Sequence, residues 1–245
     1  MTSINPTRII ITLLVGTVIA VAAILLPKYF MPSGIPSLVT TQSLELVLSL
    51  LAIIIMGKGK FSEYGFRMPK TGTFGADSFL HWLGIGLAAL AIGALATGAI
   101  LLSGAGGNPL AKRLSFPQIV LFVWILSSLI EEIFTRGFLQ GHLEKAADIK
   151  IRLMFFRVDL AALLSALFFA CLHLVLIKTG ADPITIVITL LFTFSLGLLA
   201  AQQRSITGSL LPAVGVHLLG NIGGVIGGMI YMIISFLTGG TLPKM

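Results

Sequence analysis

Glu131 and Glu132 are adjacent carboxylates, with Arg136 shortly after them, in the stretch SSLIEEIFTRGFLQG that runs from Ser127 to Gly141. The surrounding sequence is apolar enough to lie in a bilayer, where a charged side chain at mid-helix costs about 2.5–3.5 kcal/mol on insertion scales. In an α-helix Glu132 and Arg136, at i and i+4, share a face and can pair, whereas Glu131 is turned about 100° away. Pairing with Glu132 leaves Glu131 without a cation of its own. An ionisable group in that position marks function by default, and a carboxylate that takes up and returns a proton is a general base and acid. Glu132 and Arg136 read as a supporting pair that ties helices together.

Two further segments carry polar groups in apolar surroundings. FACLH places Phe169 and His173 one turn apart, and HLLGN does the same with His217 and Asn221. His81 and His142 fall near helix ends and read as interface residues. Several chemistries are excluded by what the sequence lacks. There is no His-Glu-x-x-His zinc-protease helix and no Gly-x-Ser-x-Gly nucleophile turn. Cys171 stands two residues from His173, on nearly the opposite side of its helix, so the two form no local thiol–imidazole pair. Neither Asp77 nor Asp182 lies in a membrane interior. A glutamate, two histidines and an asparagine remain. Glu131, His173 and His217 are the right types for three ligands of an open zinc site, although no carboxylate to orient the histidines is evident within their own helices. The expectation is therefore a site without a cofactor, with zinc on those three residues as the alternative.

These residues must be positioned by membrane helices. Hydrophobic residues make up 56% of the 245, charged residues 10%, and the mean hydropathy is +1.05. A bilayer span takes about 20 apolar residues, and hydropathy punctuated by Pro, Gly and charge predicts seven: 8–26, 38–56, 79–103, 117–143, 160–177, 184–202 and 213–237. The expected fold is an all-α, polytopic membrane bundle forming one integral domain over 1–245, with 117–222 as its chemical core. The first apolar run, Ile9 to Leu26, exceeds the roughly 7–15 residues of a signal-peptide core and reads as a span. Pro117, Pro183 and Pro212 sit at or just before predicted helix starts, where a missing N–H costs nothing. The glycines of GNIGGVIGG (Gly220, Gly224 and Gly228, with Gly223 and Gly227) and the Gly/Ala run from Gly84 to Gly98 suit close helix packing.

The net charge of +7 is scattered over the ends of spans, which argues for topology signals and against nucleic acid. Ten bases (Arg8, Lys58, Lys60, Arg67, Lys70, Lys145, Lys150, Arg152, Arg157, Arg204) fall on the N-terminal side, against five opposite (Lys28, Lys112, Arg113, Lys178, Lys244). By the positive-inside rule the N-terminus is expected in the cytoplasm. A single cysteine excludes an internal disulfide.

Three motifs in order on separate membrane helices, EEIFTR (131–136), FACLH (169–173) and HLLGN (217–221), resemble the CPBP family of intramembrane proteases. That family includes the CAAX prenyl proteases and the bacterial Abi, or bacteriocin-processing and immunity, proteins. TGSLLPAVGVH, ahead of the last motif, and EYGFR, Glu63 to Arg67, add to the likeness, which covers about 117–222 well and the N-terminal spans loosely. The resemblance implies that Glu131 activates water, that His173 assists it, that His217 and Asn221 stabilise the oxyanion, and that Glu132 and Arg136 orient the rest. It implies a membrane-embedded endopeptidase acting on a peptide or membrane-protein substrate in the bilayer. A proton-coupled transporter, built on the same buried Glu and His, and a non-catalytic bacteriocin-immunity protein are the rival readings. The inverted repeats expected of many carriers are not evident. His217 lies only one turn into its span while Glu131 and His173 lie deeper, so either the fourth and fifth helices project into the cytoplasm or the last begins in a sunken loop; polar Gln140, His142 and Glu144 favour projection.

Overall fold

The structure, a computed structural model, describes residues 4–30, 37–70, 76–105, 114–153 and 156–239. Within them seven helices are long and apolar enough to cross a membrane: α1 Pro6–Tyr29, α2 Ser37–Gly57, α3 Leu80–Leu102, α4 Phe116–Leu143, α5 Leu160–Thr179, α6 Pro183–Thr207 and α7 Leu211–Leu237. The chain is a multi-pass membrane protein. Its starts are chemically marked. Asn5 Oδ1 accepts from Arg8 N–H at 3.0 Å ahead of α1, and Asp182 Oδ1 accepts from Ile184 N–H at 2.8 Å ahead of α6. Each cap precedes a proline in the first turn, where the missing donor is tolerated.

Two features depart from expectation. α6 runs past 202 to Thr207, because the polar run that looked like its end is buried and bonded. Gln203 Oε1 meets His81 Nε2 at 3.3 Å, and Arg204 donates to Glu63 O at 3.1 Å. The all-α bundle also carries one short antiparallel hairpin, β1 Lys150–Leu153 with β2 Phe156–Asp159, between α4 and α5. Its Val158 is buried against Ala162 and Ala201.

Two cores flank the middle of α4. On one side Ile19, Ile53, Tyr64, Phe134, Phe138 and Leu139 pack together from α1, α2, α4 and the turn after α2. On the other, Ala89, Leu196, Ala200, Ala213 and Val216 join α3, α6 and α7. The α3–α7 contact is close enough to need glycine. A β-carbon on Gly223 would sit 2.1 Å from Leu90 O, and one on Gly227 2.3 Å from Ala94 O. Gly220 has the same role against α6, where Leu196 Cδ2 would be 2.6 Å away, while Gly84 and Gly98 face open space.

One end of the bundle is tied across the chain. Asn5 N–H donates to Ala146 O at 2.7 Å and Leu210 N–H to Gly65 O at 3.0 Å, while Arg8 donates to Lys145 O at 3.1 Å. Lys145 and Lys60 converge on Glu63 at 2.6 and 3.3 Å. Hydrogen bonds from Lys145 and then Lys60 hold the Glu63 carboxyl below its ordinary range. The bases Arg8, Lys60, Arg67, Lys145 and Arg204 therefore share one end, as the charge count requires. Lys112, Arg113 and Lys244 of the opposite set lie outside the described residues.

Candidate active site

α4 is not a uniform helix. It is π-helical over Ile119–Ser127 and Ile133–Gln140, with a single α-helical turn, Ser128–Glu132, between them. π segments are often found at functional sites, where they leave the backbone ladder irregular. Here their carbonyls receive side chains from three neighbours. Gln42 of α2 donates to Phe122 O at 3.2 Å, Asn221 of α7 to Val123 O at 3.5 Å, and Ser165 of α5 to Thr135 O at 2.7 Å. The α-turn holding both glutamates is thus gripped from above and below.

Within that turn the two carboxylates have different fates. Glu132 is fully buried. Its Oε1 accepts from His217 Nδ1 at 2.9 Å, and its Oε2 lies 3.3 Å from Arg136 Nε. Arg136, also fully buried, donates to Gly197 O at 2.7 Å and to Thr135 Oγ1, and its guanidinium stacks over the Phe169 ring at 4.8 Å. Glu131 keeps 21% of its side chain accessible. Its Oε1 accepts from Ser127 Oγ, and its Oε2 is 3.8 Å from His217 Nε2.

The hydrogen bonds fix both imidazoles. A carboxylate only accepts, so His217 Nδ1 carries a hydrogen and Nε2 is the atom turned toward Glu131. His173 Nδ1 bonds to Phe169 O at 3.1 Å, and a carbonyl also only accepts, so its Nε2 is the free nitrogen. Phe169 is the hinge of the arrangement, with ring centroids 5.1 Å from His173 and 5.4 Å from His217. Asn221 donates to Ser128 Oγ at 3.1 Å, one helical turn from His217.

The depths agree for a reason that polar residues alone do not reveal. Gln140 and His142 are both buried within the bundle. Gln140 donates to Ala201 O at 3.0 Å, and His142 Nδ1 meets Tyr64 Oη at 3.0 Å. Instead the α6–α7 turn is sunken. A β-carbon on Gly137 would meet Leu210 Cδ1 at 3.6 Å, so α7 begins level with Gly137 rather than with the end of α4. Glu131 and His217 then both lie about 9–10 Å further in, at 1.5 Å per residue.

The structure thus brings Glu131, Glu132, Arg136 and His217 into one connected cluster, with His173 joined to it through Phe169. Ser127, Ser128 and Thr135, which bond to Glu131, Asn221 and Arg136, were not anticipated from the sequence. Their signal is spacing, since Ser127 precedes Glu131 by one turn on the same helix. Among the described residues no group of three or more His, Cys, Asp or Glu side chains is placed to hold a metal ion. The orienting carboxylate missing from the histidines' own helices is supplied to His217 by Glu132 of α4.

The family model that matches, Rce1-like, is described as type II CAAX prenyl endopeptidase Rce1-like and covers residues 113–223. Comparisons with curated proteins and with solved structures give no match. The matched span contains every residue of the cluster, and over residues 113–223 this chain belongs to the Rce1-like, CPBP-type family of CAAX proteases.

Proposed function

We propose that the protein is an intramembrane endopeptidase in which Glu131 draws a proton from a water molecule that attacks a peptide carbonyl. The observation that carries this reading is the placement of Glu131, partly accessible and held by Ser127, 3.8 Å from a histidine that Glu132 orients from behind. Peptide hydrolysis needs a base for the water, donors for the developing oxyanion and a proton for the departing amine.

Each part has a group suited to it. The water lies between Glu131 and the free Nε2 of His173, and gives a proton to Glu131 as its oxygen adds to the carbonyl carbon. The carbonyl π electrons move to oxygen. That oxyanion accepts from a proton on His217 Nε2, the ring being held by Glu132 through Nδ1–H, and from the Asn221 amide once substrate displaces its bond to Ser128. Collapse of the intermediate breaks the C–N bond, and Glu131 passes its proton to the amine nitrogen. A single well-aimed oxyanion donor is worth about 3–4 kcal/mol. The reaction proceeds on side chains and water, with no metal step. Elemental analysis that finds stoichiometric zinc, together with loss of activity on chelation, overturns that feature.

The family suggests the probe, a prenylated peptide ending in a CAAX sequence, presented with the purified full-length protein in detergent or vesicles. Wild-type protein is expected to release the C-terminal tripeptide, and Glu131→Gln to reduce turnover to background while keeping its elution profile and thermal midpoint. Turnover by Glu131→Gln at the wild-type rate removes the assigned base.

A further inference from the structure

One buried carboxyl takes no part in the chemistry above. Glu45 lies in α2, an otherwise apolar span, and is only 9% exposed. Among the described residues no cation pairs with it and no side chain donates to it. The register of α2 on α4 sets it beside the turn that carries Glu131.

Helix register explains how the two meet. α2 and α4 run in the same direction, and the Gln42–Phe122 hydrogen bond sets their offset. The same offset recurs further along, where Ile53 and Phe134 share a core. One turn beyond Gln42, Glu45 therefore stands level with the Ile125–Ser127 region of α4. Side chains on a helix lean toward its N-terminus, and the Glu131 carboxylate does so, reaching back to Ser127 Oγ. Its head group thus lies at the level of Glu45 rather than at the level of its own Cα.

The hydroxyl donors at this level are already used, Ser49 Oγ on the Glu45 backbone carbonyl at 2.6 Å and Ser127 Oγ on Glu131. Gln42, 4% exposed, spends its amide N–H on Phe122 O and is left with a buried Oε1 that has no partner. The other neighbour is a carboxylate. Two anions side by side in an apolar site without a cation between them are strongly unfavourable, and such pairs hold a proton in common. The groups facing Glu131 are Glu45 from α2, His173 from α5, His217 from α7, and Glu132 and Arg136 from α4, and the one cation in that set is already engaged by Glu132.

We propose that Glu45 is a positioning residue of this site, a neutral carboxyl that donates its proton toward Glu131 so that Glu131 alone carries the negative charge and faces the water. The proton stays on the pair throughout, and Glu45 acts through Glu131 without touching the substrate. This rests on the endopeptidase reading for its catalytic consequence, while the pair itself can be seen without turnover.

The test uses full-length protein at neutral pH with Glu45→Gln, Glu45→Leu and Glu131→Gln. Infrared spectra are expected to show the C=O stretch of a protonated carboxyl in wild type, lost in Glu45→Gln and displaced in Glu131→Gln, where the acceptor has changed. On the CAAX peptide Glu45→Leu is expected to lower kcat about tenfold or more with KM within about twofold, on the scale of acid–base effects, and Glu45→Gln, which keeps an N–H donor, to restore most of that loss. A band absent from wild type, one that survives Glu45→Gln, or one that Glu131→Gln leaves in place overturns the pair. Wild-type kcat in Glu45→Leu overturns the positioning role. Wild-type protein that shows the band pattern but cleaves nothing supports the pair and counts against the endopeptidase reading instead.

Discussion

Glu132 answers to two partners at once, His217 through Oε1 and Arg136 through Oε2. Replacing it by Gln leaves a fully buried guanidinium without its counter-charge, and breaking a buried pair in this way costs about 3–5 kcal/mol. Glu132→Gln is therefore expected to lower the unfolding free energy by about that amount, measured by denaturant titration in detergent, and to lower kcat as His217 loses its orientation. Ser127→Ala separates position from stability. It removes one charge-assisted hydrogen bond to Glu131, which implies a fall in kcat of about tenfold with a stability change of about 1.5–3 kcal/mol at most. A variant that loses stability but turns over normally shows that Ser127 is packing and not part of the site. At this scale much was legible beforehand, because charge inside an apolar span stands out. Glu131, Glu132 and Arg136 declared themselves by spacing, and His173, His217 and Asn221 by a three-motif resemblance. Glu45 obeys the same rule but stands alone in its helix, and a lone carboxylate has no spacing to read; only the register of α2 on α4 gives it a neighbour.

The helices that carry these residues owe their placement to backbone approach. Gly223 and Gly227 meet carbonyls of α3 with no room for a β-carbon, so Gly223→Leu is expected to push α7 away from α3, moving His217 and Asn221 with it. Overpacking of this kind costs about 1–3 kcal/mol. Gly98→Ala, at a helical position facing open space, is the control and is expected to be neutral or stabilising by up to about 1 kcal/mol from helix propensity. Thermal midpoints of the two variants check both statements. The turn after α2 supplies a pH dependence. Glu63 is held below its ordinary range by Lys145 and Lys60, so the contribution of these contacts is present above the unfolded carboxyl's range and lost as pH falls through the folded one. Glu63→Gln is expected to flatten the acid side of the thermal-midpoint profile by a small, salt-sensitive amount, because the group is exposed. Seven spans were readable from hydropathy, yet the two π stretches of α4 were not, since a 3.6-residue periodicity has no feature that announces them. The β1–β2 hairpin was equally silent: KIRL and FRVD each alternate polar and apolar residues, but at four residues each run is at the lower limit of a strand signal.

For the whole molecule, the open question at the sequence level was how a base deep in α4 could meet a histidine one turn into α7. The answer is the sunken α6–α7 turn, fixed by Leu210 N–H on Gly65 O and by Arg67 Nε on Gly208 O at 2.8 Å, contacts between segments far apart in the chain that no local pattern encodes. Because α7 starts inward, His217 lies further from the end that gathers Arg8, Lys60, Arg67, Lys145 and Arg204 than its place one turn into its span suggests. The positive-inside rule assigns that end to the cytoplasm, and a substrate carrying a prenylated C-terminus would approach from there. Single-cysteine labelling decides it. In a Cys171→Ser background, Lys60→Cys, where the lysine side chain is 62% exposed, and Lys178→Cys at the opposite end report the two faces. In intact cells an impermeant maleimide is expected to label Lys178→Cys at once, and Lys60→Cys only after permeabilisation. The reverse pattern would turn the bundle over, place the mouth of the site outside, and exclude cytoplasmic prenylated peptides as its substrates.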